Sequence, residues 1–146
     1  MKLLVLNGPN LNLLGLREPA IYGEKSFDQL IAYIGEVCAR EGIEVECFQS
    51  NHEGALVDQI QAAYGKADGI VINPAAYTHT SVAILDALKA VALPAIEVHL
   101  SEISQREPFR QLSYPAMACI EQITGLGFEG YERAIVHIKA YLLARA

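Results

Sequence analysis

Short apolar runs alternate with helical periodicities along this chain. Lys2–Asn7 contains one such run, and Gly69–Asn73 contains another of similar length. Brief apolar runs bounded by glycine, proline or asparagine are typical of strands buried on both faces. Further runs lie at residues 43–48, 95–99 and 117–123. The pattern therefore predicts five strands.

Helical spacing fills the intervals between these runs. From Phe27 to Cys38, apolar side chains recur three or four residues apart. Ser26 and Gln29 have the spacing of a capping box, and Gly42 is placed to end the helix. Further helices are predicted over residues 56–64, 80–91 and 131–143.

Strands that alternate with helices need crossover connections, which produce a parallel sheet with helices on both faces. Five strands in 146 residues indicate a flavodoxin-like, doubly wound α/β fold with strand order 2-1-3-4-5. The length fits a single domain over residues 1–146. Sheets of this kind bind ligands in a crevice at the carboxyl ends of their strands, so the chemistry is expected there.

The predicted strand ends carry amides and histidines. Strand 1 leads into Asn10, and strand 3 ends in Asn73 and leads to His79. Thr78 or Thr80 is placed to cap the helix that follows. His79 is either part of the crevice or only a polar residue near that cap. The remaining two histidines, in a loop and in the last helix, are interpreted as structural.

Strand 4 ends with Glu97 and His99, which point to the same face because they are two residues apart. Glu97 can orient the imidazole through one ring nitrogen and leave the other for general acid or base catalysis. A purely structural pair is the alternative. The same pair with His79 is also a candidate metal set, although no HExxH motif or Cys/His cluster supports it.

Two segments without regular periodicity flank the predicted crevice. The loop over residues 8–25 is unusually long for a compact domain, which favours a lid at about residues 15–25, with an ordered surface loop of no function as the alternative. The loop contains Tyr22, and the pKa of a free tyrosine is too high for a base at neutral pH. A nearby cation lowers that pKa, and Arg17 is on the same loop; an exposed tyrosine without a catalytic role is the alternative. After strand 4, Arg106 and Arg110 suit an anion site, with a solvated charged turn as the alternative.

Composition narrows the function classes. There are 17 acidic and 11 basic residues, giving a net charge of −6, which argues against nucleic-acid binding. A few arginines can still create a local site for an anionic substrate. No apolar stretch reaches 18 residues, so no membrane span is predicted. Three cysteines without CxxC spacing indicate neither a disulfide framework nor a zinc cluster, and favour a cytoplasmic protein.

Common nucleotide and nucleophile motifs are missing from the sequence. It contains no GxGxxG after a strand, no GxxxxGK[ST] and no GxSxG. From the residues alone, the chain is an α/β enzyme or a binding module with an anion site. A flavin or nucleotide binder and a metal-dependent enzyme using His79, Glu97 and His99 are the competing hypotheses.

Six segments in chain order share the pattern of one family. They are NGPNLNLLG from Asn7, REPAIYG from Arg17, QSNHEG from Gln49, NPAAYTHTS from Asn73, EVHLS from Glu97 and REPFR from Arg106. Together they resemble the type II 3-dehydroquinate dehydratases, and the resemblance covers the whole chain. It implies anti elimination of water from 3-dehydroquinate to give 3-dehydroshikimate through an enolate, without metal or other cofactor. The reaction belongs to the shikimate pathway and to quinate catabolism.

The resemblance also implies a role for each matching residue. Tyr22 matches the base, and Arg17 matches the arginine that keeps it ionised. Asn10 matches the residue that holds a water on the enolate oxygen. His99 matches the general acid, with Glu97 orienting it. The implied substrate contacts are Asn73, His79 and Arg110 on hydroxyls, Leu100 and Ser101 on the carboxylate, Arg106 on a lid, and Asp86 from a neighbouring subunit.

Members of the family that the chain resembles assemble as homododecamers, each a tetramer of trimers. The resemblance therefore implies a homododecamer for this chain. Three positions depart from the family pattern. Ala75 stands where glycine is common, Glu102 where asparagine is usual and Ser104 where histidine is often found. Glu102 is expected to place an extra negative charge near the carboxylate site and to weaken affinity.

Overall fold

The computed structural model describes residues 1–16, 18, 20 and 25–146. Within these residues the strands are β1 (Lys2–Asn7), β2 (Glu44–Gln49), β3 (Gly69–Asn73), β4 (Ala95–Val98) and β5 (Glu121–Ile123). The helices are α1 (Phe27–Glu41), α2 (Glu53–Ala63), α3 (Val82–Val91) and α4 (Glu129–Leu143). Short 3-10 helices occupy Leu11–Leu13, Ala75–His79, Ile103–Gln105, Pro108–Arg110 and Pro115–Ala118.

The five strands form one parallel sheet in the order β2-β1-β3-β4-β5, which confirms the predicted topology. Asn7 at the end of β1 is in register with Gln49 on β2 and with Asn73 on β3. The order in which successive strands are added to the sheet reverses between β1 and β3, and sheets of this kind open a ligand crevice at that point. Asn7, Gln49 and Asn73 therefore lie side by side at the edge of the sheet, next to that crevice.

Apolar side chains cover both faces of the sheet. In β1, Leu3 and Val5 face one side, and Leu4 and Leu6 face the other. On the first side α1 and α4 contribute Leu30, Ile34, Val37, Ala134, Ile135 and Ile138. On the second side α2 and α3 contribute Leu56, Ile60, Ile84, Ala87 and Leu88. The three central strands β1, β3 and β4 are buried on both faces, which is why their sequences are mostly apolar.

The ends of α1 match their sequence signals. The Ser26 side chain accepts from the backbone N–H of Gln29, and the Gln29 side chain accepts from the backbone N–H of Ser26. Gly42 ends the helix with a φ of 69°, a left-handed conformation that glycine adopts without steric cost. The capping box and the glycine stop are therefore confirmed.

The predicted cap of α3 is wrong. A 3-10 helix occupies Ala75–His79, so the α-helix begins later, at Val82. Its cap is Ser81, whose Oγ accepts from the backbone N–H of Ile84 at 2.9 Å. Neither Thr78 nor Thr80 serves, because the short helix and its exit occupy both positions.

The fifth strand is shorter than the predicted residues 117–123. Pro115 begins a 3-10 helix over Pro115–Ala118, and the strand starts only at Glu121. Proline has a fixed φ and no N–H, which suits the first turn of a helix and not a paired strand. The strand that remains still places Gln122 opposite Glu97 of β4.

All three cysteines are free thiols. Burial raises the pKa of Cys38 and of Cys47 to about 11, and that of Cys119 to about 12, so the thiols are protonated at neutral pH. Among the described helices, none combines the length and apolar character that crossing a membrane requires.

Candidate active site

A pocket opens at the carboxyl ends of β1, β3 and β4. Its lining in the described part of the chain is Pro9, Asn10, Leu11, Asn73, Ala75, Ala76, His79, His99, Leu100, Ser101, Ile103, Arg106 and Arg110. The residues come from three separate strand exits, which meet because parallel strands end at one edge of the sheet. The pocket lies where the sequence predicted the chemistry.

Close backbone packing shapes the floor of this pocket. A Cβ atom at Gly8 would collide with the Pro74 carbonyl oxygen, so only glycine allows the two strand exits to approach. Asn10 adopts a φ of 68° and Ala75 a φ of 53°. The left-handed region is unfavourable for alanine, and the Ala75 N–H is held there by the Asn73 Oδ1 at 3.1 Å.

Glu97 and His99 form a buried pair at the back of the pocket. Glu97 is fully buried, and the His99 Nε2 lies 2.9 Å from its Oε2. Burial alone raises the pKa of Glu97. The hydrogen bond and charge of His99, followed by the hydrogen bonds of Gln122 and Ser113, outweigh burial and hold that pKa below its ordinary value.

The ionised Glu97 fixes which nitrogen of His99 is available. A carboxylate only accepts hydrogen bonds, so the His99 Nε2 carries a proton and donates it to Glu97. The Nδ1 atom is the ring nitrogen left for substrate. This is the arrangement of an oriented imidazole that exchanges protons with a bound ligand.

The remaining polar lining of the pocket is cationic or neutral. The His79 Nδ1 donates to the Leu112 carbonyl at 2.8 Å, which leaves Nε2 as its other hydrogen-bonding atom. Arg110 forms an ion pair with Glu107, and Arg106 lines the same pocket. No aspartate or glutamate is among the described lining residues. The site therefore suits an anionic ligand, although the chain as a whole is acidic.

A buried polar network lies below the pocket. The Tyr131 hydroxyl donates to the Asn7 Oδ1 at 2.6 Å and accepts from the Asn73 Nδ2 at 3.0 Å. Tyr131 has no exposed surface, and burial raises the pKa of its hydroxyl well above the usual value. Asn73 is thereby fixed at both ends of its amide, because its Oδ1 accepts from Ala75. The network ties α4 to the exits of β1 and β3.

Comparison with known proteins identifies the family. A family pattern described as "Dehydroquinase class II" matches residues 1–139. The chain belongs to the class II dehydroquinase family. The crystal structure of type II dehydroquinase from Butyrivibrio crossotus is similar to this structure with a TM-score of 0.94 and 53% identity, over 95% of this chain and 97% of that one.

Two curated relatives agree with this membership of the class II dehydroquinases. The 3-dehydroquinate dehydratase of Geotalea daltonii is 60% identical over 131 residues, covering 90% of this chain and 91% of that protein. The catabolic 3-dehydroquinase of Penicillium rubens is 54% identical over 136 residues, covering 93% and 88%. The resemblance found in the sequence is therefore confirmed.

Not every predicted site residue of this class II dehydroquinase lies in the pocket. Asp86 is exposed on α3 and is not among the pocket's lining residues. Arg17 and Tyr22 lie outside the described residues, as does part of the predicted lid. His79 and His99 are in the pocket, whereas His137 is exposed on α4 and pairs with Glu121.

The Glu102 carboxylate makes hydrogen bonds with Ser104 in its own loop and with Thr124 just after β5. It accepts from the Thr124 Oγ1 at 2.9 Å and from the Ser104 Oγ at 3.0 Å, and these contacts lower its pKa. It also caps the short helix Ile103–Gln105 and is not among the described lining residues of the pocket. Ser104 and Glu102, which both differ from the family pattern, are thus hydrogen-bonding partners of each other.

No group of three His, Cys, Asp or Glu side chains within the described residues is arranged to hold a metal ion. Glu97, one member of the candidate metal set, instead accepts hydrogen bonds from Ser113 and Gln122 as well as from His99.

The Tyr131 network gives a testable expectation for stability. Tyr131→Phe removes one hydroxyl and leaves the Asn7 Oδ1 and the Asn73 Nδ2 buried without this partner. Unsatisfied buried groups cost about 1–3 kcal/mol each, so we expect the free energy of unfolding to fall by at least about 1 kcal/mol. Urea denaturation of the variant measures this change, with Tyr64→Phe, at an exposed tyrosine, as the control. Equal midpoints for the two variants contradict the expectation.

Proposed function

We propose that this class II dehydroquinase removes water from 3-dehydroquinate to give 3-dehydroshikimate. The observation that carries the proposal is the Glu97–His99 pair, buried behind a pocket that also contains two arginines. The names of the relatives at 53–60% identity support the substrate. The same reaction serves aromatic biosynthesis and quinate breakdown, and the relatives include a protein named as catabolic.

The proposed reaction needs a base and an acid on opposite faces of one carbon–carbon bond. Tyr22 removes the proton α to the carbonyl, and Arg17 stabilises the tyrosinate that does so. The electrons move onto the carbonyl oxygen, and a water held by Asn10 stabilises the resulting enolate. When the enolate collapses, the carbon–oxygen bond breaks, and His99 gives its proton to the departing hydroxyl to form water.

The positions of the described residues support this division of roles. Glu97 keeps a proton on the Nε2 of His99, so Nδ1 is the atom that delivers a proton to substrate. The proton that reaches the leaving hydroxyl is therefore the one carried on Nδ1. We assign substrate hydroxyl contacts to Asn73, His79 and Arg110. We assign the substrate carboxylate to Leu100 and Ser101, with Arg106, from the loop after β4, as a lid residue beside it.

A continuous absorbance assay tests the proposed function. Purified protein treated with a chelator is mixed with 3-dehydroquinate, and the ultraviolet absorbance of the conjugated enone product is followed. We expect a steady rise from the wild type that does not depend on chelation. If correctly folded and assembled protein forms no product, the assignment is overturned, and the family relationship then applies to the scaffold alone.

We also propose that residues 1–146 form one catalytic domain with a lid at about residues 15–25. A cytoplasmic location is proposed because all three cysteines are unpaired, as is usual where thiols stay reduced. The proposed assembly is a homododecamer built as a tetramer of trimers. Its support within this chain is the exposed position of Asp86 on α3, away from the pocket that it is proposed to serve.

Mixing inactive variants tests the contribution of Asp86 across subunits. Asp86→Ala and His99→Ala are each expected to be impaired alone. In mixed oligomers, some pockets combine an intact His99 from one chain with an intact Asp86 from another, so activity returns. Co-expression of the two variants, compared with each variant expressed alone, measures this recovery.

The recovery is meaningful only if mixed assemblies form. Light scattering is expected to give a particle of about 190 kDa, the mass of twelve chains of 15.9 kDa. Mixed particles of this size that show no recovered activity place Asp86 and His99 in the same subunit's site. A monomeric particle contradicts the proposed assembly.

A further inference from the structure

The Glu97 carboxylate accepts hydrogen bonds from two side chains besides His99. The Ser113 Oγ lies 2.8 Å from Oε1 and 3.0 Å from Oε2, and the Gln122 Nε2 donates to Oε2. Oε2 is therefore shared among Gln122, His99 and Ser113. The strand register explains the contact with Gln122, because Glu97 on β4 and Gln122 on β5 are directly paired.

Ser113 and Gln122 are neutral donors, so they can stabilise the Glu97 carboxylate without adding a charge. A buried carboxylate is costly unless hydrogen bonds satisfy its oxygens. Ser113 and Gln122 satisfy Glu97 without bringing a second titratable proton, so His99 is the only acid among the three side-chain partners of Glu97 in the described part of the chain. Contacts from two directions also fix the plane of the carboxylate, and Oε2 is held facing the imidazole.

We propose that Gln122 and Ser113 are positioning residues that hold the Glu97 carboxylate in the orientation from which it aligns His99 for proton donation. The inference rests on the proposed function for its catalytic consequence. Neither residue is among the described lining of the pocket, so both act through Glu97. β5, only three residues long, thereby has a direct link to the chemistry.

Other charged and titratable groups surround the pair and must be considered in any pH dependence. The Cys119 thiol has a pKa raised to about 12, by burial first and then by the charge of Glu97. The Glu102 carboxylate interacts electrostatically with His99. His79, Arg106 and Arg110 line the same pocket as His99. The variants below change none of these groups directly.

Gln122→Leu and Ser113→Ala test the proposal by steady-state kinetics. The loss of one hydrogen bond to a charged group changes a rate constant by about tenfold when that bond supports the rate-limiting step. We therefore expect kcat of each variant to fall by about tenfold. KM is expected to stay within about twofold, because neither side chain is among the pocket's lining residues. Exchange of the substrate's α-proton with D₂O is expected to continue near the wild-type rate, since that step uses the base and not His99.

Conservative and charged replacements separate positioning from packing. Ser113→Thr keeps a hydroxyl and is expected to recover most of the activity lost in Ser113→Ala. Gln122→Glu keeps the shape but replaces the donor with an acid. Its activity is expected to fall as pH rises and the new carboxyl ionises against Glu97. Glu121→Gln, one position earlier on the same strand, is the matched control and is expected to retain wild-type kinetics.

Nitrogen-15 NMR of the His99 ring gives a readout that does not depend on turnover. In the wild type we expect the neutral ring to carry its proton on Nε2. In Gln122→Leu and in Ser113→Ala, the Nε2 and Nδ1 shifts are expected to move towards each other as that preference weakens. If the wild type shows no dehydratase activity, the proposed function fails, yet these spectra still test the coupling.

Two results overturn the proposal. One is a set of unchanged ring shifts together with wild-type kcat in both variants. The other is a parallel loss of kcat, α-proton exchange and folded protein, which means that the residues serve only structure. A selective loss of kcat with altered ring shifts supports the positioning role.

Discussion

Replacing His99 with alanine is expected to lower kcat for dehydration by about 10²–10⁴-fold, the usual contribution of a general acid. The variant loses the proton that the leaving hydroxyl must receive. It keeps the proposed base, and it keeps the proposed carboxylate contacts at Leu100 and Ser101. Removal of the α-proton is therefore expected to survive better than loss of water.

Two measurements on the His99→Ala variant separate these steps. Absorbance of the enone product reports dehydration, and NMR in D₂O reports deuterium entering the unreacted substrate at the α-carbon. His137→Ala is the control, because this histidine is exposed on α4 and pairs only with Glu121 among the contacts described. Equal losses of exchange and dehydration in the His99 variant argue against its role as the acid.

Tyr22→Phe is expected to reduce kcat by about the same two to four orders of magnitude, through the opposite step. The substitution deletes a single oxygen, the proposed acceptor of the α-proton. Deuterium exchange should stop together with dehydration, whereas substrate binding should persist because the proposed carboxylate and hydroxyl contacts lie elsewhere. Isothermal titration with 3-dehydroquinate measures that binding.

The matched control for Tyr22→Phe is Tyr64→Phe, which removes the same oxygen from an exposed tyrosine just after α2. Wild-type kinetics are expected from this control. Appreciable turnover by the Tyr22 variant refutes the assignment of the base. The two active-site variants together form a diagnostic pair, because only the His99 variant should continue to exchange the α-proton.

The sheet and its ligand-binding edge could be predicted from sequence because both follow from local patterns. Strands buried on both faces, such as Gly69–Asn73, appear as uninterrupted apolar runs. Their polar terminal residues then show where the chain leaves the sheet. Glu97 and His99 could be paired from spacing alone, since alternate residues of a strand share a face.

The support behind the site depends on contacts that sequence spacing does not encode. Gln122 reaches Glu97 only because β5 pairs with β4 in one register, and β5 itself was predicted four residues too long. Tyr131 had the pattern of a core residue in an amphipathic helix, and nothing in that pattern shows that its hydroxyl meets two asparagines. Ser81 was missed because a 3-10 helix postpones the start of α3.

The contact between Tyr131 and Asn7 has a consequence for how the enzyme is made. The two residues are 124 positions apart, so the strand that begins the pocket leaves the ribosome long before the helix that secures it. While α4 remains in the exit tunnel, the amides of Asn7 and Asn73 lack their shared hydroxyl. The pocket therefore reaches its final form only after α4 has left the exit tunnel, and a chain stalled near residue 130 carries an unfinished site.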